Sequence, residues 1–523
     1  MAQDLPAAWS SNRALRLGRL PWPYTGFAAL AVLVILPLCL LLPWAGDQGL
    51  HAAVVERLRS GLLDPADPMV AEHAPSPYYS PWTLLLGCVA RLTGWGTFTV
   101  LSLAAVTACA LLLTGIHRFV STLTSHRWAP VLALPVLVLL WGWHLFAWSG
   151  WISFTSLTLT VCYPSTFALG LSLHLWAWLQ QEARAGWRLP PVLALGALAG
   201  IIVLVHQFTG AIALLGAAAI AVAAPRTRSW SAVRHLLAGG LAMAVVLTLW
   251  PYYDFWELAP AGGDLGSVHQ GLYRDLLPRY GLVLLALPAL AVRARRTRCL
   301  DPLVLLFLAG VTVFTAGGVL GHWSWGRIWP GVMLSAHFAL VVEFTAIPPG
   351  RLRRGCAAVL ATALTVGLWA QFGAVTYVFP QYKALAKSWY IQQISTYGDY
   401  SWVTPYVRRG DVILTQDYYA LRMAPAYGAS TVAPAYPDFF LPDERQRRQD
   451  TADFFSGRST AAQDHSVLIR YHVRWLIASA TDGPVPAAAR SLCTPVATGP
   501  GGARLLRVTP AVLHDTAPHG GGR

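Results

Sequence analysis

Between residues 24 and 44 the chain reads YTGFAALAVLVILPLCLLLPW, about 20 apolar residues with no charge among them. At about 1.5 Å of rise per residue, a helix of that length covers the roughly 30 Å hydrocarbon core of a bilayer. In lipid a backbone must satisfy its own polar groups, so such runs can only be helices. The first run is too long for a secretory signal peptide and lacks a small-residue cleavage site, so it is expected to remain as the first membrane helix. Runs of spanning length recur near 97–117, 128–148, 162–180, 190–207, 208–224, 232–250, 278–292, 302–320, 328–346 and 355–378. The expected fold is therefore mainly α, a polytopic membrane protein with about eleven transmembrane helices. Segment 149–163 and the nearly unbroken run 190–224 are the weakest parts of that pattern.

Composition agrees. With 55% hydrophobic and 12% charged side chains and a mean hydropathy of +0.49, the chain lies outside the range of soluble globular proteins. The net charge of +14 would suit nucleic acid, but in a membrane protein basic residues mark cytoplasmic loops. An N-terminus inside the cell puts Arg13, Arg16, Arg19, Arg118, Arg127, Arg184, Arg188, Arg226, Arg228 and Arg234 on the cytoplasmic side. Arg293, Arg295, Arg296, Arg298, Arg351, Arg353 and Arg354 join them. The loops facing the other way keep only Arg57, Arg59, Arg91, Arg274, Arg279 and Arg327. No nucleic-acid partner is expected; the bilayer is. The seven cysteines show no ligand spacing, which predicts neither a disulfide framework nor a thiolate metal site.

Two outward segments stand out by length: the first loop, 45–96, and everything after about 379. The second alternates like a soluble domain, with strands over 411–415, 473–479, 492–497 and 503–508 and helices over 443–457 and 459–472. The expected organisation is a transmembrane domain over 1–378, a small extracytoplasmic α/β domain over 379–509, and a disordered tail over 510–523.

Polar residues gather where helices meet the outer face. Asp47 follows the first run and opens an amphipathic helix carrying His51, on the same face, and Glu56. A carboxylate at that boundary can act as a general base with His51 or Glu56 tuning it, or it can simply cap the helix starting at Gln48; on this residue alone the two readings are evenly matched. The same loop holds Tyr78 and Tyr79, a wall for a sugar or lipid or ordinary interfacial anchors. His206, His322, Trp325, Arg327 and Asp254 fall at outward helix ends. Ionisable groups at membrane depth tend to be functional, and an arginine fork pairs well with a lipid phosphate. The chain has no P-loop, no Asp-x-Asp pair and no HExxH. An energy-rich substrate is thus expected to arrive through the membrane. A transporter or flippase is the alternative, but it would distribute its polar residues near the bilayer midplane.

With WAGDQGLH opening the first outward loop, SPYYSPWTLLLG closing it, and GDVILTQDYYALRMAPAYGASTVAP and YHVRWLIAS beyond the last helix, the chain resembles the membrane-embedded glycosyltransferases of the C type. Its end domain looks like that of actinobacterial mannosyl- and arabinosyltransferases. The resemblance spans nearly the whole chain and implies inverting transfer of a sugar, mannose first and arabinose second, from a polyprenyl-phosphate carrier at the outer face of a bacterial cell membrane. The acceptor would be a hydroxyl of an envelope glycan, a lipid-linked glycan or a peptide natural product. Asp47 matches the family's base and Arg327 its phosphate-holding arginine. Protein mannosyltransferases of this class carry a second acidic residue directly after the aspartate; here that position is Gln48, which argues against protein O-mannosylation. No cofactor or resident metal is expected, and dependence on a divalent ion stays open.

Overall fold

The computed structural model describes residues 22–261, 266–479 and 490–509. Arg13, Arg16, Arg19 and the tail 510–523, on which the sequence expectations drew, lie outside the described residues. The molecule is predominantly helical, and each of the eleven apolar runs contains helix. Among the described residues, seven helices are long and apolar enough to cross a membrane: Trp22–Leu41 (α1), Thr97–Leu123, Trp230–Thr248, Leu276–Thr297, Pro302–Leu320, Trp323–Ala346 and Arg351–Tyr377. The remaining runs depart from simple spans for visible reasons. Ala129–Leu139 has 11 residues, about 16 Å of helix. Phe154–Thr160 and Pro164–Ala185 are bent by 116° about a short break, a broken span or a re-entrant loop. Run 190–224 is two helices, Leu189–Val205 and Gln207–Ala223, separated at His206, whose extended backbone (φ −160°, ψ 105°) ends one and caps the next.

Small residues let these helices approach closely, as membrane packing favours. A Cβ at Gly196 would lie 2.0 Å from the carbonyl oxygen of Gly239. Near Asp301, which caps Pro302–Leu320, Arg293 pairs with Asp301 at 2.6 Å and with Glu343 at 3.0 Å, and Arg296 meets Glu343 at 2.6 Å.

The chain beyond residue 400 builds a five-stranded sheet from β1 (Val412–Leu414), β2 (Ser430–Thr431), β3 (Val473–Ala478), β4 (Cys493–Thr498) and β5 (Arg504–Val508). The order is β2-β1-β3-β5-β4, with β1 parallel to β2 and β3 and β5 antiparallel to β3 and β4. Helices Glu444–Ser456 and Ala461–Arg470 accompany it, the second entered through a capping box of Thr460 and Gln463.

The first loop is fused to this sheet. Its helix α2 (Gln48–Ser60) was expected to be amphipathic, yet every residue from Gln48 to Leu58 is buried. The polar face finds partners instead of water: Arg57 donates to the carbonyls of Gly428 (3.1 Å) and Ala429 (2.7 Å) and to Ser430 Oγ (2.8 Å). Glu56 is ion-paired with Arg409, and Arg447 with Glu72 at 2.7 Å. Val70 bridges Thr431 in parallel, extending the sheet edge into the loop. Gly49 sits so close to Tyr418–Met423 that a Cβ there would lie 1.8 Å from the carbonyl oxygen of Arg422.

Candidate active site

The site begins at the turn between α1 and α2. Gly46 has φ +52°, a left-handed conformation that glycine adopts without penalty, and it swings the chain so that Asp47 heads α2. Asp47 occupies the N-cap position, but its side chain accepts no hydrogen bond from the helix. The half-buried carboxylate is therefore not consumed by capping.

Around it stand groups from four parts of the chain. Tyr163 donates to the Ala45 carbonyl at 2.5 Å and packs edge-on against His51, with ring centroids 4.5 Å apart. Tyr436, from the C-terminal segment, donates to the Gly46 carbonyl at 2.9 Å and lies within hydrogen-bonding approach of Asp47. The Tyr78 hydroxyl feels both the Asp47 carboxylate and the Arg327 guanidinium, and those two charges act on each other. Burial pushes His51 down to about 4, against the pull of Asp47. The imidazole is thus neutral near pH 7 and gives Asp47 no countercharge.

Arg327, in the turn Trp323–Ile328 ahead of helix Trp329–Ala346, is buried. Its guanidinium lies 4.5 Å from the Phe208 ring, with Trp151 and Trp148 near 6 Å, and its Nη2 is 3.4 Å from His206 Nε2. The other ring nitrogen of His206 accepts from the Thr209 N–H at 3.1 Å, which turns Nε2 toward the arginine. Among the described residues no carboxylate lies at ion-pair distance from Arg327, and its Nε is buried without a hydrogen-bond partner. A buried cation without a paired anion is costly. Aromatic rings thus wall a guanidinium that has no paired carboxylate among the described residues, with Asp47 and Tyr78 near enough for their charges to act on it.

Of the residues singled out in the sequence, Asp47, His51, Tyr78, Arg327 and His206 come together here. Tyr79 does not; it points into the loop's own core, donating to the Ala66 carbonyl and packing 5.8 Å from Tyr252. The Glu56 carboxylate, taken by Arg409, Arg59 and Thr97, faces away from Asp47's neighbours. His322 and Trp325 are exposed and stacked on each other at 5.1 Å. Asp254 is exposed and caps a short helix by accepting from the Trp256 and Glu257 N–H groups at 2.7 and 3.3 Å. Sequence reasoning missed Tyr163, Tyr436, Trp151 and Phe208. Aromatics at helix ends are ordinary in membrane proteins, and only the fold brings Tyr436 back across some 390 residues to Gly46. Gln48 is buried and its Oε1 accepts the Cys162 thiol at 3.2 Å, so this side chain is committed to packing.

No protein-family profile matches the chain, and no curated protein sequence does. Solved structures do match its fold. The arabinofuranosyltransferase AftD from Mycobacteria aligns over 92% of this chain with a TM-score of 0.54 and 14% identity, and this chain spans 40% of the AftD chain. ArnT from Cupriavidus metallidurans in the apo state aligns over 94% of this chain and 99% of its own, with a TM-score of 0.52 and 14% identity. ArnT bound to undecaprenyl phosphate aligns over 95% and 99%, with a TM-score of 0.53 and 14% identity. The apolar helices and the sheet together therefore have the fold of the C-type membrane glycosyltransferases.

Proposed function

We propose that this protein is an integral membrane glycosyltransferase that moves a sugar from a polyprenyl-phosphate carrier to an acceptor hydroxyl at the outer face of a bacterial membrane. The observation that carries the reading is Arg327: buried, walled by aromatic rings and without a carboxylate partner among the described residues. A lipid phosphate would supply the missing anion and could accept a bidentate pair of N–H groups. The fold shared with a protein solved with undecaprenyl phosphate is in keeping with such a ligand.

In the proposed reaction the Asp47 carboxylate takes the proton of the acceptor hydroxyl as its oxygen attacks the anomeric carbon. The bond from that carbon to the phosphate oxygen breaks, and polyprenyl phosphate leaves with the electron pair, its charge met by Arg327. Attack opposite the leaving group inverts the anomeric centre. His206 lies beside the guanidinium without pairing with it, because its Nδ1 is the accepting nitrogen, and Tyr78 lies close enough to both charges for each to act on it. Mannose is the first sugar to test and arabinose the second. The arginine bias of the loops supports a cytoplasmic N-terminus and an extracytoplasmic sheet.

The test is turnover of radiolabelled polyprenyl-phosphate mannose, then arabinose, in membranes holding wild type or Asp47→Asn, with native membrane extract as the source of acceptor. Donor consumption is expected to fall by at least a hundredfold in the variant at equal expression. Equal consumption by both proteins would remove Asp47 from the chemistry.

A further inference from the structure

Beside Asp47 the C-terminal segment presents a cluster of tyrosines: Tyr397, half-buried against the sheet's core, and two more exposed rings next to it. Tyr418 and Tyr419 are 51% and 43% exposed at the start of a short helix. They stand edge to face at 5.2 Å, and Tyr397 meets them at 5.9 and 5.1 Å. The hydroxyls of Tyr397 and Tyr418 are 3.1 Å apart. Arg422 lies between this cluster and the site, with its guanidinium 3.6 Å from the Tyr418 ring and 4.8 Å from the Tyr436 ring. Tyr436 in turn donates to the carbonyl of Gly46, next to Asp47. An aromatic path with hydroxyls along it thus runs from the candidate base to the surface.

Single exposed rings are ordinary, but aromatic side chains exposed side by side make a contiguous patch of the kind that marks a contact surface. These offer apolar faces and hydroxyl rims together. A sugar ring has the complementary pair of surfaces, a C–H face and an edge of hydroxyls. We propose that Tyr397, Tyr418, Tyr419 and Arg422 form the subsite for the acceptor, and that the acceptor is a glycan at least two residues long. Its terminal sugar would reach Asp47 while a preceding ring stacks on Tyr419 and shares hydroxyl contacts with Tyr397 and Tyr418. This deepens the glycosyl-transfer reading and rests on it.

Binding and turnover separate the two. Full-length protein in nanodiscs, as wild type, Asp47→Asn, Tyr419→Ala and Tyr418→Phe, is titrated with the methyl glycosides of an α-mannotriose and an arabinofuranosyl trisaccharide, and with a tyrosine-containing hexapeptide. Saturation-transfer NMR reads contact. Wild type and Asp47→Asn should saturate the C–H protons of one trisaccharide equally. Tyr419→Ala, an exposed position whose folding is checked by its melting temperature, should weaken that binding at least tenfold. Tyr418→Phe should lose less, because it keeps the ring. Trisaccharide binding that Tyr419→Ala leaves unchanged, saturation of the peptide alone, or none of any probe would each overturn the subsite. An Asp47→Asn protein that turns over donor normally while binding the sugar through Tyr419 would overturn the catalytic reading and leave the subsite standing.

Discussion

Arg327 concentrates the chemistry of the site in one side chain. Its guanidinium is buried among Phe208, Trp151 and Trp148, with His206 at 3.4 Å. In the proposed reaction, truncation would remove the charge that meets the leaving phosphate. Arg327→Ala should therefore lower kcat/KM for the polyprenyl-phosphate donor by about a hundred- to a thousandfold, while Arg327→Lys, which keeps the charge without the fork, should recover only part of it. An alanine variant with an unchanged donor KM and kcat would mean that the phosphate sits elsewhere. A second residue-scale feature is a carboxyl pair that ties the first loop to the C-terminal segment. Asp67 is buried, with Oδ1 accepting the N–H groups of Met69 and Val70 at 2.8 Å each, and its side chain meets that of Asp438. Burial, and then the charge of Asp67, push Asp438 up to about 8. An unfolded Asp438 loses its proton near pH 4 and the folded one holds it to about pH 8, so the pair's stabilisation is complete at acid pH and fades as pH rises across that window. Asp438→Asn donates to Asp67 without titrating, and should flatten the fall in melting temperature between pH 5 and 8. A slope as steep as wild type would show that the pair does not share a proton. Neither carboxyl stands out in the sequence: Asp67 lies in a Pro-rich loop and Asp438 in a turn some 370 residues away, and no local pattern relates them.

At the scale of elements, whatever local chemistry dictates was legible. The strands and helices after residue 400 fall close to where alternation and capping put them, since "DVILT" and "VRWLIAS" carry β-branched and aromatic alternation and Thr460 with Gln463 forms its own start signal. Helix interruptions were harder. The division into runs 190–207 and 208–224 falls within two residues of the break at His206, and the run placed from 162 begins beside Pro164, but nothing in hydropathy foretold the 116° bend between Phe154–Thr160 and Pro164–Ala185. The two-residue strand β2 is too short for any period to register. The amphipathic look of α2 was misleading, because its polar face is buried against carbonyls and ion pairs from a segment that folds back from the far end of the chain. Gly49 makes that packing testable. Gly49→Ala would set a methyl 1.8 Å from the Arg422 carbonyl oxygen. Backbone cannot yield cheaply there, so a loss of more than about 2 kcal/mol is expected. Gly355→Ala, inside helix Arg351–Gln371 where nothing lies within 4 Å of the added Cβ, should be neutral or slightly stabilising. Denaturant unfolding in detergent compares the two, and equal midpoints would show that α2 does not dock on Tyr418–Met423.

For the whole molecule, the consequence is that the first loop and the C-terminal sheet are one construction rather than two modules. Asp47 heads α2 just beyond the first membrane helix, but α2 behind it is held by Gly428, Ala429, Ser430 and Arg409, the loop edge joins Thr431, and Tyr436 closes over the Gly46 carbonyl. Cutting the chain after residue 378 would leave the membrane helices their own apolar packing, yet strip α2 of most of its polar partners. Arg57 would then be a buried arginine without acceptors, a state that favours undocking into water. In the full chain Arg57 is only 8% exposed, so trypsin should spare the bond after it; in the truncated chain, cleavage after Arg57 and Arg59 should become fast, and turnover should vanish although every transmembrane segment is present. Full-length Asp47→Asn supplies the comparison, since it should stay as resistant as wild type while being inactive, which separates loss of the base from loss of its scaffold. Persistent protection at Arg57 in the truncated chain would show that the first loop folds on the membrane helices alone, and the sheet would then be an attachment to the site rather than part of what positions it.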